Sequence, residues 1–482
     1  MFMVAFPLAK PAVRPIMSAH NILSMGRCKV QILWAEQALT ENGWQNAVRI
    51  EIGRDGRIAD LRADSPPEGM RLDTALPAMG NVHSHAFQRA MAGLAESRTD
   101  LQDSFWSWRK LMYRFLEVLT PEDVENIAAF VQMEMAESGF AAVGEFHYLH
   151  HRPGGAPYAN IAEMSERIFA AQAISGIGLA YLPVLYQRGG CDGRPLLGGQ
   201  MRFGCDLDRF ADLLDGARAG LAGLPADCIL GMAPHSLRAV SRESLDHLPE
   251  LASSGPIHMH IAEQQAEVVE VTAYFGARPV EWLLNIFHVD PAWCLIHATQ
   301  MTPAETIGLA GSGAVAGLCP ITESNLGDGI FDGVRYLDHG GRIALGSDSN
   351  IRISLTEEIR TLEYSQRLRD YSRAALAQPG TSTGRAIYEA ATRGAAQALG
   401  RGAGVITKGG WADITEISRD HPDLDGLAGD TLLDVWLFAG DDRQVRNLWS
   451  AGRHLVVDGR HVRATSIRKG YRNCRKRLRA LL

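Results

Sequence analysis

Between residues 75 and 400 eight short apolar runs alternate with amphipathic segments, and this rhythm constrains the fold more than any other feature of the chain. The runs are ALPAMGNVHSH (75–85), AAVGEFHYLH (141–150), IGLAYLPVLY (177–186), CILGMAPHSL (228–237), PIHMHIAE (256–263), WCLIHATQ (293–300), AVAGLCP (314–320) and RIALGSDSN (342–350). The segments between them open with helix-starting chemistry. TPEDVENIAAFVQMEMAESG (120–139) places Thr120 as N-cap, Pro121 at the first helical position and acidic residues in the first turn. SRESLDHL (241–248) and TPAETIGL (302–309) start in the same way. Eight β–α units in one run predict an α/β fold, a (β/α)8 TIM-like barrel over 75–400. A doubly wound open sheet would usually carry a glycine-rich phosphate loop after an early strand, and the sequence has none.

The flanks follow a different period. Residues 31–62 alternate with period two around a DG turn, and so do ADITEI, DVWLFAG and HLVVDGRHV within 409–463. Both flanks read as antiparallel strands, so residues 31–74 and 401–465 are expected to form one small β-sandwich beside the barrel. Residues 1–30 read as an N-terminal extension without ordered structure of its own, and 466–482 as a basic C-terminal helix with a solvated face.

Bulk properties exclude several roles. The chain has 482 residues, is 46% hydrophobic and 21% charged, and has a net charge of −7 with both signs dispersed. No broad basic field for nucleic acid is implied. No apolar run is long enough to span a bilayer, and the start, interrupted by prolines, lacks a basic signal region. Seven scattered cysteines, odd in number and without a CxxC, suit a reduced, cytoplasmic protein. The expected partner is a small molecule rather than nucleic acid or membrane, and a homodimer is the default assembly for such barrels.

Active sites of these barrels form at the C-terminal ends of the strands. The first run delivers His83 and His85 there, the second Glu145, His147 and Tyr148, the fourth His235 and then Arg238. The fifth delivers His258, His260 and Glu263, the sixth His297 and the eighth Asp348. With 16 histidines in the chain, an HxH pair arises by chance in roughly every second such sequence. So many polar groups converging on one rim are harder to explain structurally, because burying them unpaired is costly. On a strand, residues i and i+2 point to the same face, about 7 Å apart. His83 and His85 can therefore grip one ion. His260 and Asp348 are natural candidates to complete a nitrogen-rich site suited to zinc, though iron(II) or manganese fits the same donors. Glu263 stands where a general acid/base is needed, and His297 and Asp348 could orient a water. His258, one layer deeper, reads as an interior hydrogen-bonding residue, and HYLHH (147–151) contains an HxxH that is a weaker candidate for metal binding.

HSH after the first strand, HxxE after the fifth, His after the sixth and SD after the eighth resemble the amidohydrolase superfamily in its deaminase branch. CPITESNLGDG (319–329) is similar to that branch's segment after the seventh strand. NVHSHAFQRAMAGLAE (81–96), SFWSWRKLMY (104–113), GEFHYLHH (144–151), APHSLRAV (233–240) and HMHIAEQ (258–264) resemble the formimidoylglutamate deiminase family, over roughly residues 31–465. The resemblance implies hydrolysis of N-formimino-L-glutamate to N-formyl-L-glutamate and ammonia, in histidine degradation. It implies His83, His85, His260 and Asp348 as ligands of one Zn2+, Glu263, His297 and Asp348 as catalytic, and Gln88, Arg109, Tyr148, His235 and Arg238 as substrate-binding. A dicarboxylate substrate independently favours arginine, whose planar fork meets a carboxylate with two hydrogen bonds. The N-terminal extension departs from the family pattern. Another deaminase of the branch, acting on guanine or a related purine, and a ring-opening hydrolase like imidazolonepropionase are the alternatives.

Overall fold

The computed structural model describes the backbone of residues 30–94, 96, 105–251 and 255–481, without the side chains of 105–110, 249 and 250. The N-terminal extension expected at 1–30 lies outside the described residues apart from Val30.

Eight strand positions match the eight apolar runs. They are β5 (Met79–Ser84), β6 (Phe140–His147), β7 (Gly178–Leu185), the broken pair β8 (Ile229–Leu230) and β9 (Ala233–Pro234), β10 (Ile257–Ile261), β11 (Trp293–His297), β12 (Val315–Leu318) and β13 (Arg342–Leu345). Every residue of β6, β7 and β11 is buried, as expected of parallel strands covered on both faces. The strands form two parallel arcs, β5-β6-β7-β8 with β9 on β7, and β10-β11-β12-β13. Parallel bridges Ser84–Asp348 and Met232–Ile257 join the arcs at both seams and so close the barrel. Helix α1 (Phe105–Val118) follows the β5 loop, and α2 (Pro121–Glu137) precedes β6. Thr120 caps α2 as expected: its hydroxyl accepts from the Asp123 amide and the Asp123 carboxylate accepts from the Thr120 amide.

The flanking strands are β1 (Gln31–Thr40), β2 (Gly43–Ile52), β3 (Ile58–Arg62), β4 (Met70–Pro77), β14 (Ile414–Ile417), β15 (Val445–Ser450), β16 (Arg453–Val457) and β17 (Arg460–His461). They join in one continuous sheet of order β17-β16-β15-β14-β4-β1-β2-β3. β1 pairs antiparallel with β2 but parallel with β4, and β4 pairs antiparallel with β14, so β4 links the two flanks. Leu33, Val48, Ile50 and Leu72 from the first flank and Ile406, Ile414 and Trp449 from the second share a core separate from the barrel's.

Two readings are corrected. Residues 75–77 belong to β4 in the flank sheet, not to the first barrel strand. The 31–62 stretch forms three antiparallel strands, with β2 and β3 flanking the DG turn as expected. DVWLFAG is not a strand: it lies at the end of a helix, α3 (Gly429–Phe438), whose buried residues Leu432, Leu433, Trp436 and Leu437 follow a helical spacing. Over so few residues, a period of two and a period of 3.6 share most of their apolar positions. At the C-terminus, helix α4 (Ala464–Arg479) turns Ile467, Tyr471, Cys474 and Leu478 inward and stacks Tyr471 on Phe130 of α2, 3.9 Å between ring centroids.

Candidate active site

His83 sits in β5 and His85 directly follows it, both buried. The last barrel strand is stitched to them by backbone. The amides of Ser347 and Asp348 donate to the His83 carbonyl, and the His85 amide donates to the Asp348 carbonyl. Around this seam runs a buried polar chain. Asn81 donates to Ser347 Oγ, Ser347 to Asn350 Oδ1, and Asn350 Nδ2 to Ser84 Oγ. It holds Asp348 and Asn350 in the left-handed backbone region, φ +45° and +55°. Ala262 and His297, at the ends of β10 and β11, are left-handed too, at +49° and +71°. Such non-glycine conformations cost roughly 1–3 kcal/mol each and persist where the surroundings over-determine them.

The imidazoles converge. His83 Nε2 lies 3.1 Å from His85 Nε2 and 3.0 Å from His260 Nε2, and Asp348 Oδ1 lies 3.5 Å and 3.3 Å from the Nε2 atoms of His83 and His85. His85 Nδ1 faces the Phe146 carbonyl at 2.9 Å, and His260 Nδ1 the His235 carbonyl at 3.2 Å. Only an N–H at Nδ1 satisfies those carbonyls, so both Nε2 atoms present lone pairs to the same point. His83 Nε2 thus stands within hydrogen-bond distance of two nitrogens that are obliged to be acceptors, an arrangement that a cation held among the three rings would satisfy. Burial holds the His83 imidazole at about 3 and also lowers those of His85 and His260, which keeps them neutral as metal ligands must be. Burial alone would raise the Asp348 carboxyl, but its hydrogen bond to His83 and the neighbouring imidazoles outweigh that and hold it below the usual range.

His297 is set apart by its surroundings. Its Nδ1 lies 3.2 Å from Glu323 Oε1, and its Nε2 is 4.0 Å from Glu263 Oε1 and 3.9 Å from Asp348 Oδ2. Burial would lower this imidazole, but Glu263, Glu323 and Asp348 together raise it to about 10. By distance alone His83, His260, His297 and Asp348 form a possible metal group. His85 is the other candidate for this group, its Nε2 3.1 Å from His83 Nε2 and 3.3 Å from Asp348 Oδ1. Burial raises the Glu263 carboxyl, with His297 and Arg238 opposing it.

One pocket opens above this cluster, and His85, Gln88, Tyr148, His235, Arg238, His260, Glu263, His297 and Asp348 all line it. Gln88 Nε2 donates to the Tyr148 hydroxyl at 2.7 Å. His235 Nδ1 meets Ser236 Oγ, and its ring lies 4.9 Å from that of His260. Arg238 stands 3.7 Å from Glu267. Arg109 is in α1, and its side chain lies outside the described residues. The pocket also takes Met112, Tyr113, Tyr186, Phe203, Leu326 and Ser349, which the sequence reading did not single out. Met112 and Tyr113 lie in α1, Leu326 ends the helix Pro320–Leu326, Tyr186 and Phe203 are loop residues and Ser349 follows Asp348, and only the last carried a local signal. His147, His150 and His151 each meet a backbone carbonyl, as does His258 with Ala398. Those four histidines turn away from the cluster. Glu145 also stays beneath the rim, accepting from the Ala86 amide.

The sequence matches the amidohydrolase family over residues 74–455 and the N-terminal domain of formimidoylglutamate deiminase HutF over 30–70. The chain therefore belongs to the amidohydrolase family and is a metal-dependent hydrolase. It is 48% identical to the formimidoylglutamate deiminase of Pseudomonas aeruginosa over 434 residues, 89% of this chain and 95% of that one. An amidohydrolase crystal structure from Brucella melitensis superposes with a TM-score of 0.89 at 44% identity, over 93% of this chain and 99% of that one. Within the superfamily the chain belongs with the formimidoylglutamate deiminases. An adenosine deaminase from Xanthomonas campestris with bound zinc has the same fold, with a TM-score of 0.76 at 20% identity over 93% of this chain and 98% of that one.

Proposed function

We propose that this chain hydrolyses N-formimino-L-glutamate to N-formyl-L-glutamate and ammonia, as a step of histidine degradation, with zinc held by His83, His85, His260 and Asp348. Zinc in that cage would supply a water acidified towards neutral pH. The observation that carries the reading is the pairing of opposite charges in one pocket: Arg238 in the wall that Glu263 and the imidazole cluster also line. A guanidinium suits a substrate carboxylate, and a carboxylate beside the cage suits a cationic formimino group.

Glu263, its proton affinity raised by burial, accepts the proton of the attacking water and returns it to the departing nitrogen. His297 is held by Glu323 at Nδ1 with Nε2 towards the cage. There it donates to the oxygen on which charge develops, beside Asp348. Arg238, with Arg109 from α1, holds the two carboxylates, and Gln88, Tyr148 and His235 complete the polar wall.

Aromatic rings line the same pocket and keep a flat purine in view. Tyr148 and Phe203, however, pack edge to face at 4.7 Å and 81°, against each other rather than as parallel plates around a slot. We further propose a homodimer working in the cytoplasm. In support, the six described cysteines are all free and buried. Among the described residues no helix is long and apolar enough to cross a membrane.

The deciding experiment is ammonia release from N-formimino-L-glutamate, with guanine and imidazolonepropionate in parallel and metal quantified in the same sample. Turnover of the first substrate alone is expected. Release from guanine, or consumption of imidazolonepropionate without ammonia, would move the chain to the corresponding activity.

A further inference from the structure

Glu267 is buried four residues beyond Glu263, in the first turn of the helix Gln265–Phe275. The N-cap of that helix, Gln264, makes no side-chain capping bond. Instead of serving the helix's own amides, Glu267 reaches back. Its Oε1 accepts the amide of Ala262 at 3.2 Å and its Oε2 the amide of Glu263 at 3.1 Å. The same Oε2 lies 3.7 Å from Arg238 Nη2. Ala262 is one of the left-handed residues of the site. The carbonyl of Glu263 is fixed from the other side by Thr299 Oγ1 at 2.6 Å. Arg238 keeps a buried Nε without a partner and lines the pocket beside Glu263. One carboxylate therefore grips the strained turn that presents Glu263 and faces the guanidinium proposed to bind substrate.

We propose that Glu267 is a positioning residue with two linked effects: it fixes Glu263 for proton transfer, and it moderates the positive charge of Arg238. The substrate carboxylate and Glu267 would then share one guanidinium, so the ground-state complex is weaker than Arg238 alone would allow while Glu263 stays in register. Moderated ground-state binding with intact transition-state contacts is the arrangement that favours turnover. The inference rests on the dicarboxylate reading of the site.

A purely structural capping carboxylate makes a different forecast: its loss should lower affinity and turnover together. In Glu267→Gln the charge facing Arg238 is gone, and one oxygen that accepted an amide becomes an NH2 that opposes it. The expected result is glutarate, used as the dicarboxylate probe, binding about threefold or more tighter by calorimetry, while kcat for N-formimino-L-glutamate falls about tenfold or more. Glu267→Asp keeps the charge and shortens the reach, so kcat should fall with glutarate affinity not tightened. Glutarate binding unchanged or weaker in a folded Glu267→Gln protein, or an undiminished kcat in either variant, overturns the proposal. Should Glu267→Gln not fold, Glu267→Asp decides: a lower kcat with unchanged glutarate affinity supports the proposal, and an undiminished kcat, or an affinity that falls together with kcat, overturns it. Wild-type protein assayed alongside separates the two readings. No ammonia from the wild type overturns the proposed reaction and this inference with it. Ammonia from the wild type with no tightening in Glu267→Gln overturns this inference alone.

Discussion

Arg89 Nη1 donates to two carbonyls at once, those of Asn350 and Ile351, each at 2.8 Å. It lies four residues past the HSH motif, and its guanidinium bolts the turn after His85 to the turn after Asp348. Glu134 lies 2.7 Å from Nη2, Phe130 packs under the guanidinium at 5.7 Å, and the Tyr471 hydroxyl of α4 reaches the Arg89 carbonyl at 3.3 Å. Arg89→Ala would orphan both carbonyls and leave Glu134 without its cation. We expect a loss of about 2–4 kcal/mol in urea unfolding, the range for breaking a partly buried ion pair, with kcat reduced. An unchanged urea midpoint would remove Arg89 from this role.

Glu263 is the residue on which turnover should depend most without metal binding depending on it. Glu263→Gln is expected to lower kcat by about 10²–10⁴, with metal content by elemental analysis unchanged. Near wild-type ammonia release from the metal-loaded variant would rule it out as the proton carrier.

Gly346 has no side chain because none fits. A Cβ there would stand 2.7 Å from His83 Cβ and 2.9 Å from the His83 amide nitrogen. Gly346→Ala should push His83 out of the cluster. Its predicted mark is metal affinity about 10–100-fold weaker in a chelator competition, with the protein still folded by circular dichroism. Full metal retention would show that the seam yields elsewhere.

The tie between barrel and flanking sheet should set the acid limit of stability. Asp227 accepts Nη1 and Nη2 of Arg453 at 2.7 Å each and Nη1 of Arg401 at 3.0 Å, while Arg401 also grips Asp413. Burial would raise Asp227, but the two arginines outweigh it and lower the carboxyl from 3.8 to about 2. A depressed folded-state value means that this stabilisation is fully present above pH 4. It is lost as the pH falls from 4 through 2. The shift corresponds to about 2 kcal/mol. Thermal melts between pH 6 and 2 should show this acid limb in the wild type. In Asp227→Asn, already less stable at pH 6, the limb should be shallower. Parallel curves for the two proteins would deny Asp227 its share.

Much of this architecture was legible because burial writes a period into sequence. Parallel strands covered on both faces read as apolar runs, and their polar ends marked His83, His85, His260, His297 and Asp348 as rim residues. The helix starts at Thr120, Ser241 and Thr302 were legible because capping is local chemistry between residues three apart. The reading failed where the signal was short or remote. DVWLFAG is too brief to separate the two periods, and the parallel pairing of β1 with β4 crosses a connection that leaves no trace in either strand.

By itself the sequence determined the order of elements, the rim they build and the kinds of donor it carries. Each of these follows from burial or capping within a few residues. Tertiary structure alone decided which imidazoles share a point, which one is wrapped in carboxylates, and which distant groups hold the strained turns. His85 and His297 look alike in the sequence. One donates its Nδ1 proton to a backbone carbonyl and the other lies against Glu323, and these opposite surroundings set their charges. Glu267, Gly346 and Arg89 act through contacts whose energy depends on distance in space, to which separation along the chain is no guide.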